Sequence, residues 1–165
     1  MFHWYGLIIG IAVVVWWNIA EYLEPRLKRI IPITLLLSLV GARTYHVFEY
    51  FNHYQANIFG MLAVWNGGLS IWGALLLGGG YVWFYGRNLI WAVVTPLPLA
   101  QAIGRVANGV NGEFTNLVMG IPWWGMEAIL DLILFGVIWR IKKEWRVVTY
   151  LVGYGLIRLA LSPYR

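Results

Sequence analysis

The stretch QAIGRVANGVNGEF, Gln101–Phe114, sets an arginine, two amides and a carboxylate (Arg105, Asn108, Asn111 and Glu113) at the end of an apolar run, in a chain that is only 12% charged. Arg105 and Asn108 are three residues apart, so on a helix they share a face, and Gly104, Gly109 and Gly112 permit close backbone approach or local unwinding. A guanidinium beside amide donors suits a lipid phosphate. Taken alone, Asn108 reads as a helix-end amide that satisfies free carbonyls or bonds across helices. Its placement beside Arg105 favours the anion.

Two more arginines lie inside apolar runs, Arg43 in LVGARTYHVF and Arg158 in GYGLIRLALS. Arginine at mid-membrane costs about 2.5–3.5 kcal/mol on insertion scales, so each calls for a partner or a function. The structural alternative is pairing with Glu49, Glu113, Glu127 or Asp131, or snorkelling to the headgroups. Tyr154, Arg158, Ser162 and Arg165 recur at i, i+4, i+8 and i+11 and so lie near one helical face. In WNGGLSIWGALLLGGGYVW, Trp65–Trp83, the glycines read first as a tight packing face. The turn Asn66-Gly67-Gly68 also offers backbone N–H groups to an anion.

Those residues need a scaffold, and the composition says in what solvent. Hydrophobic residues make up 61% of the 165, mean hydropathy is +0.68, and 11 are tryptophan. A soluble domain of this length buries only about 70% of its unfolded surface, which would leave too much apolar area wet. The expectation is an all-α polytopic bundle of about six transmembrane helices, near residues 4–23, 30–50, 68–86, 89–109, 122–141 and 147–163. The loops between them are short, with no linker or internal repeat, which predicts a single domain over 1–165. MFHWYGLIIG lacks a basic n-region and a small-residue cleavage site, so the first run is expected to remain as a membrane helix.

Basic residues set the orientation. Arg26, Lys28 and Arg29, then Arg87, then Arg140, Lys142, Lys143 and Arg146 fall in the first, third and fifth loops, which are expected inside. Both termini and the Arg105–Glu113 group then face outward. The net charge of +5 forms no basic stripe interleaved with exposed aromatics, which argues against nucleic acid. Cysteine is absent, which excludes a disulfide framework, a thiolate metal site and a cysteine nucleophile in this chain.

HWYGLIIGIAVVV, GARTYHVF, WNGGLSIWGALLLGG, LAQAIGRVANGVNGE and YGLIRLALSPYR resemble, in order, successive signatures of the prolipoprotein diacylglyceryl transferase family. The most specific is Gly-Arg-x-x-Asn-x-x-Asn-x-Glu, matched by Gly104, Arg105, Asn108, Asn111 and Glu113. The resemblance implies a multi-pass enzyme of the bacterial inner membrane. Such an enzyme moves the diacylglyceryl group of phosphatidylglycerol onto the lipobox cysteine of a preprolipoprotein, releases glycerol phosphate, and needs no metal or other cofactor. Arg105 and Arg158 are then candidates for the phosphate clamp, with Asn108 beside them. Glu113 is the candidate proton acceptor, and Tyr5 and Tyr154 are candidates to orient phosphate or relay a proton. Arg43, Gly67, Gly68, Trp72, Asn111 and Arg165 complete the expected substrate-binding set.

The sequence departs from the family pattern at several points. Trp72 stands where the family has a histidine, and indole only donates hydrogen bonds, so it cannot serve as a base. His3, His46 and His53 lie elsewhere and read as interfacial or packing residues. Ser162 replaces the carboxylate of Arg-x-x-x-Glu-x-x-Arg, and Ala107 and Gly109 replace a glycine and a phenylalanine of the fourth-span motif. Ile121-Pro122-Trp123-Trp124-Gly125-Met126-Glu127 keeps the proline and glutamate of His-Pro-Thr-x-x-Tyr-Glu but lacks its histidine and tyrosine. The external region between Glu113 and Pro122 is short, and the family's usual final helix is expected to be reduced or absent. The alternatives are a non-catalytic phospholipid-binding relative, which Trp72 filling the histidine's cavity would favour, and a small channel or transporter lined by Arg43, Arg105 and Arg158. The sequence lacks the paired broken helices of inverted-repeat transporters.

Overall fold

The computed structural model describes residues 4–55, 58–64 and 67–164. His3, Asn66 and Arg165, and the side chain of His53, lie outside the described residues. The chain is predominantly helical and divides into two compact units, Met1–Pro25 with Trp91–Arg165, and Arg26–Ile90.

In the first unit, helix α1 (Trp4–Leu23) coincides with the first expected span. It packs along Leu97–Val110, with Trp16 Nε1 donating to the Val93 carbonyl at 2.9 Å and Ile9 against Gly104.

In the second unit, α2 (Leu27–Glu49) begins earlier than expected and carries Pro32 inside it. The expected loop 51–67 contains two short helices, α3 (Phe51–Tyr54) and α4 (Ile58–Leu62). The third span starts only at Ile71, because Gly67 and Gly68 take φ of +79° and +72°, a left-handed conformation incompatible with a helix start. It runs as α5 (Ile71–Ala74), a π-turn over Leu75–Gly79, and α6 (Gly80–Gly86). Gly41 of α2 and Gly73 of α5 meet backbone to backbone, and Gly78 packs against the Ser38 side chain and the Thr34 carbonyl. Small residues thus set the close approach of these helices, as is usual where lipid supplies no hydrophobic drive.

The expected fourth span, 89–109, is interrupted. A 3-10 turn over Arg87–Leu89 leads into α7 (Ile90–Val94), the chain breaks at Thr95-Pro96, and α8 covers Leu97–Val110. Pro96 and Pro98 have no N–H to continue the ladder of α7, yet fit the first turn of a new helix. Residues 110–121, expected as loop, hold a small hairpin of β1 (Leu117–Val118) and β2 (Ile121–Pro122). Both turn residues, Met119 at +52° and Gly120 at +83°, have the positive φ of a type I′ turn. Helix α9 (Trp123–Arg140) follows at once, then α10 (Lys143–Leu161) with a final 3-10 turn.

Among the described residues, three helices are individually long and apolar enough to cross a membrane: α1, α2 and the run Lys143–Tyr164. Ile71–Val94 and Leu97–Val110 meet that test only when taken together. Helix α9 has 18 residues and carries Glu127, Asp131 and Arg140. Phe48, Phe59, Leu76, Phe84 and Leu159 stand exposed, as expected for side chains whose solvent is lipid.

Candidate functional site

Helices α8, α9 and α10 each bring a polar row to a common interior. On α8 the row is Gln101, Arg105 and Asn108, at i, i+4 and i+7. On α9 it is Glu127 and Asp131, and on α10 it is Tyr150, Tyr154 and Arg158. Each repeats at the spacing that stacks side chains along one helical face.

Glu127 is the hub. It is fully buried, and Arg105 Nε lies 3.0 Å from its Oε2 while Arg158 Nη1 donates to its Oε1 at 3.2 Å. The Arg105 contact is an ion pair without hydrogen-bond geometry, since among the described residues Oε2 has no hydrogen-bonded partner. One carboxylate therefore holds two guanidiniums together, and the arginines, 19% and 30% exposed, form the open side of the cluster. Among the described residues no acceptor is recorded for Arg105 Nη2, or for Nε and Nη2 of Arg158. That leaves N–H donors of both side chains for an anion.

Trp123 forms the floor. Its ring centroid lies 5.3 Å from the Arg105 guanidinium carbon and 5.7 Å from that of Arg158, within cation–π range. The indole is itself anchored, with Nε1 donating to the Leu161 carbonyl at 2.9 Å and Phe114 packed at 4.9 Å.

The network continues to the end of α8. Arg105 Nη1 donates to Asn108 Oδ1 at 3.4 Å, and Asn108 Nδ2 to Glu113 Oε2 at 2.7 Å. Asn111 Nδ2 donates to Glu113 Oε1 at 2.5 Å, and the Glu113 backbone N–H returns to the Asn108 carbonyl at 2.9 Å. Gly112, at φ +74°, turns the chain back so that Glu113 reaches both amides. Arg105, Asn108, Asn111, Glu113 and Arg158, picked out by spacing, thus form one connected set through Glu127. Tyr154 stacks on Tyr150 at 5.8 Å, and Gln101 Nε2 donates to the Tyr150 hydroxyl at 3.1 Å. Tyr5 lies on α1, 40% exposed.

Arg43 belongs to the other unit and does something different. It is buried, and its Nε donates to the Met61 carbonyl at 2.8 Å, Nη1 to those of Gly67 and Gly68 at 2.6 and 2.9 Å, and Nη2 to that of Gly60. Tyr54 covers the guanidinium at 5.2 Å. Four of the five N–H donors of a guanidinium are thereby committed to the loop after α2. The Gly67 N–H, expected to face an anion, bonds the Val64 carbonyl at 3.3 Å instead. Gly68 packs against His46 and Arg43 with no room for a side chain. Trp72 is 64% exposed. Apolar clefts of about 260 and 330 Å³ flank α2, one lined by Gly41, Tyr45 and Leu77, the other by Val40, Val47 and Leu62.

Spacing along single helices did not pick out the hub role of Glu127, the floor role of Trp123, or Gln101, Asp131 and Tyr150. The last three do carry a signal, as i, i+4 repeats with Arg105, Glu127 and Tyr154. For Trp123 there was none, because its role depends on two other helices.

Residues 1–165 match the family model of prolipoprotein diacylglyceryl transferase. A phosphatidylglycerol–prolipoprotein diacylglyceryl transferase of Prochlorococcus marinus strain MIT 9211 is 29% identical over 97% of this chain and 64% of its own length. One of strain NATL1A is 33% identical over 73% of this chain and 49% of its own length, and one of Coxiella burnetii is 30% identical over 99% and 77%. The chain therefore spans between about half and two thirds of the Prochlorococcus relatives. Matched along its whole length and carrying the motif residues of one connected polar cluster, the chain belongs to the prolipoprotein diacylglyceryl transferase family.

Proposed function

We propose that the protein transfers the diacylglyceryl group of phosphatidylglycerol to the lipobox cysteine of preprolipoproteins, as a six-span, single-domain protein of the bacterial cytoplasmic membrane with both termini outside. The observation that carries this reading is the arginine pair: Arg105 and Arg158, bound to one buried glutamate over one indole, are partly exposed and keep N–H donors for a phosphate. The family membership and the names of the relatives support the chemistry.

In the reaction the cysteine thiol loses its proton and the sulfur bonds to the terminal glycerol carbon of the diacylglyceryl group. The bond between that carbon and the phosphate oxygen breaks, and glycerol phosphate leaves. Negative charge grows on the departing phosphate, where fixed guanidiniums stabilise it without reorganising. A free thiol has a pKa of about 8.5, so a proton acceptor is needed. Glu113, oriented by Asn108 and Asn111, takes that role. Acyl tails enter sideways from the outer leaflet, with Trp and Tyr at the interface.

The test is transfer from labelled phosphatidylglycerol to a lipobox peptide by the purified protein, beside Arg105→Ala. Product that vanishes in the variant supports the reading. No product from folded wild-type protein that binds phosphatidylglycerol would instead identify a lipid-binding relative without catalysis.

A further inference from the structure

Below the arginines, the same interior holds polar atoms that the phosphate clamp does not use. Asp131 is fully buried, and among the described residues neither of its carboxylate oxygens has a hydrogen-bond partner. It lies about one turn along α9 from Glu127, about 6 Å by helical rise, within electrostatic reach of Arg105, Arg158 and Tyr150. On the facing α8, Gln101 has its amide nitrogen fixed on Tyr150, and its Oε1 is likewise buried with no partner among the described residues. Three buried acceptor atoms therefore have no donor among the described residues. Inside a bilayer no bulk water can compensate them, so such atoms persist where a ligand or a function repays their cost.

The chemistry of the two ends differs. Arg105 and Arg158 are donors, suited to an anion, whereas Asp131 and Gln101 Oε1 are acceptors, suited to hydroxyl groups. A donor end and an acceptor end about one helical turn apart match a phosphate esterified to a short polyol. Resting on the phosphate reading above, we propose that Asp131 and Gln101 form the pocket that binds the headgroup hydroxyls of the phospholipid, and so select a glycerol-bearing phosphodiester over one without hydroxyls. The same contacts retain the glycerol end of the glycerol phosphate as it leaves. Tyr150 acts by holding the Gln101 amide so that its oxygen faces the pocket.

The experiment measures binding of the purified protein in lipid nanodiscs to phosphatidylglycerol and to phosphatidylethanol. The latter is a phosphodiester of equal charge whose headgroup has no hydroxyl. Wild-type protein is expected to prefer phosphatidylglycerol by about tenfold or more, the equivalent of one or two charged hydrogen bonds. Asp131→Leu and, separately, Gln101→Leu are expected to bring the ratio close to one while leaving phosphatidylethanol affinity within about twofold. Should Asp131→Leu fail to fold, Asp131→Asn, which keeps one acceptor, and Gln101→Leu still decide the matter. Equal binding of the two lipids by wild type, or an undiminished preference in the folded variants, overturns the pocket. Arg105→Ala separates the two readings: it should weaken both lipids alike, and unchanged affinity for both would overturn the phosphate reading itself.

Discussion

The carboxylate of Glu127 and the guanidinium of Arg105 lie 3.0 Å apart in the interior of the α8–α9–α10 unit, the glutamate wholly enclosed. Arg158 shares the same carboxylate, so removing it leaves two guanidiniums crowded together with nothing between them. Breaking a buried pair in this way typically costs about 3–5 kcal/mol. Glu127→Leu is therefore expected to lower the melting temperature of the detergent-solubilised protein sharply and to abolish transfer. Glu127→Gln keeps an acceptor for Arg158 and should fold, with transfer down by at least about tenfold. A Glu127→Leu protein as stable as wild type would refute the hub role.

Trp123 holds both arginines from beneath, and each cation–π contact contributes roughly 0.5–2 kcal/mol. Trp123→Phe keeps an aromatic face but loses the Nε1 bond to the Leu161 carbonyl. It should retain the fold and raise KM for phosphatidylglycerol several-fold with a smaller change in kcat. Trp123→Leu loses the ring and should weaken phosphatidylglycerol binding by about tenfold or more. Equal KM in wild type and Trp123→Leu would show that the indole only fills space.

How much of this was legible in the sequence depended on whether the cause was local. The first helix was readable because 4–23 is a predominantly apolar run ended by Glu24-Pro25. Residues 122–141 and Trp123–Arg140 agree for the same reason. The split of 89–109 at Thr95-Pro96 was written in TPLP, but a hydropathy window averages across a proline that breaks the backbone. The late start at Ile71 followed from positive φ at Gly67 and Gly68, a conformation glycine allows but does not announce. Within the site, Arg105–Asn108 and Tyr154–Arg158 follow from helical spacing. The partners across helices do not: Glu49, Glu113, Glu127 and Asp131 were equal candidates until packing chose Glu127. Arg43 is the clearest case, since its partners are backbone carbonyls, which carry no side-chain signature at all.

That carbonyl clasp makes Arg43 a fold residue with a sharp chemical test. Lysine keeps the charge but has a single nitrogen in place of the guanidinium fork, so it cannot meet carbonyls of residues 60, 61, 67 and 68 together. A fully buried carbonyl left without a donor costs about 1–3 kcal/mol, and these part-buried carbonyls cost less each. Arg43→Lys should lower thermal stability and expose residues 51–70 to limited proteolysis before the rest of the chain. Proteolysis that begins elsewhere, at wild-type stability, would mean that the clasp contributes nothing.

Gly41 and Gly73 touch backbone to backbone, so a methyl group on either would press on the carbonyl of the other helix. Backbone cannot rotate away as a side chain can, and overpacking of this kind typically costs about 1–3 kcal/mol. Gly41→Ala and Gly73→Ala should each destabilise the protein, whereas Gly79→Ala, with open space around it, should be neutral or slightly stabilising. If all three variants melt together, the close approach of α2 and α5 is not a constraint.

Trp72 bears on where the thiol's proton goes. Its indole is 64% exposed, so replacing it removes little packing, and Trp72→His should fold as well as wild type. Histidine is the side chain whose ordinary pKa suits proton transfer near neutral pH, and this position resembles the one at which the family has it. Transfer by Trp72→His protein should be equal or faster. With Glu113 as the proton acceptor of the proposed reaction, Glu113→Gln in the wild-type background should be strongly impaired. Slower transfer in a fully folded Trp72→His protein would mean that the indole itself contributes to the reaction, and Glu113→Gln at full activity in the wild-type background would remove Glu113 from the mechanism.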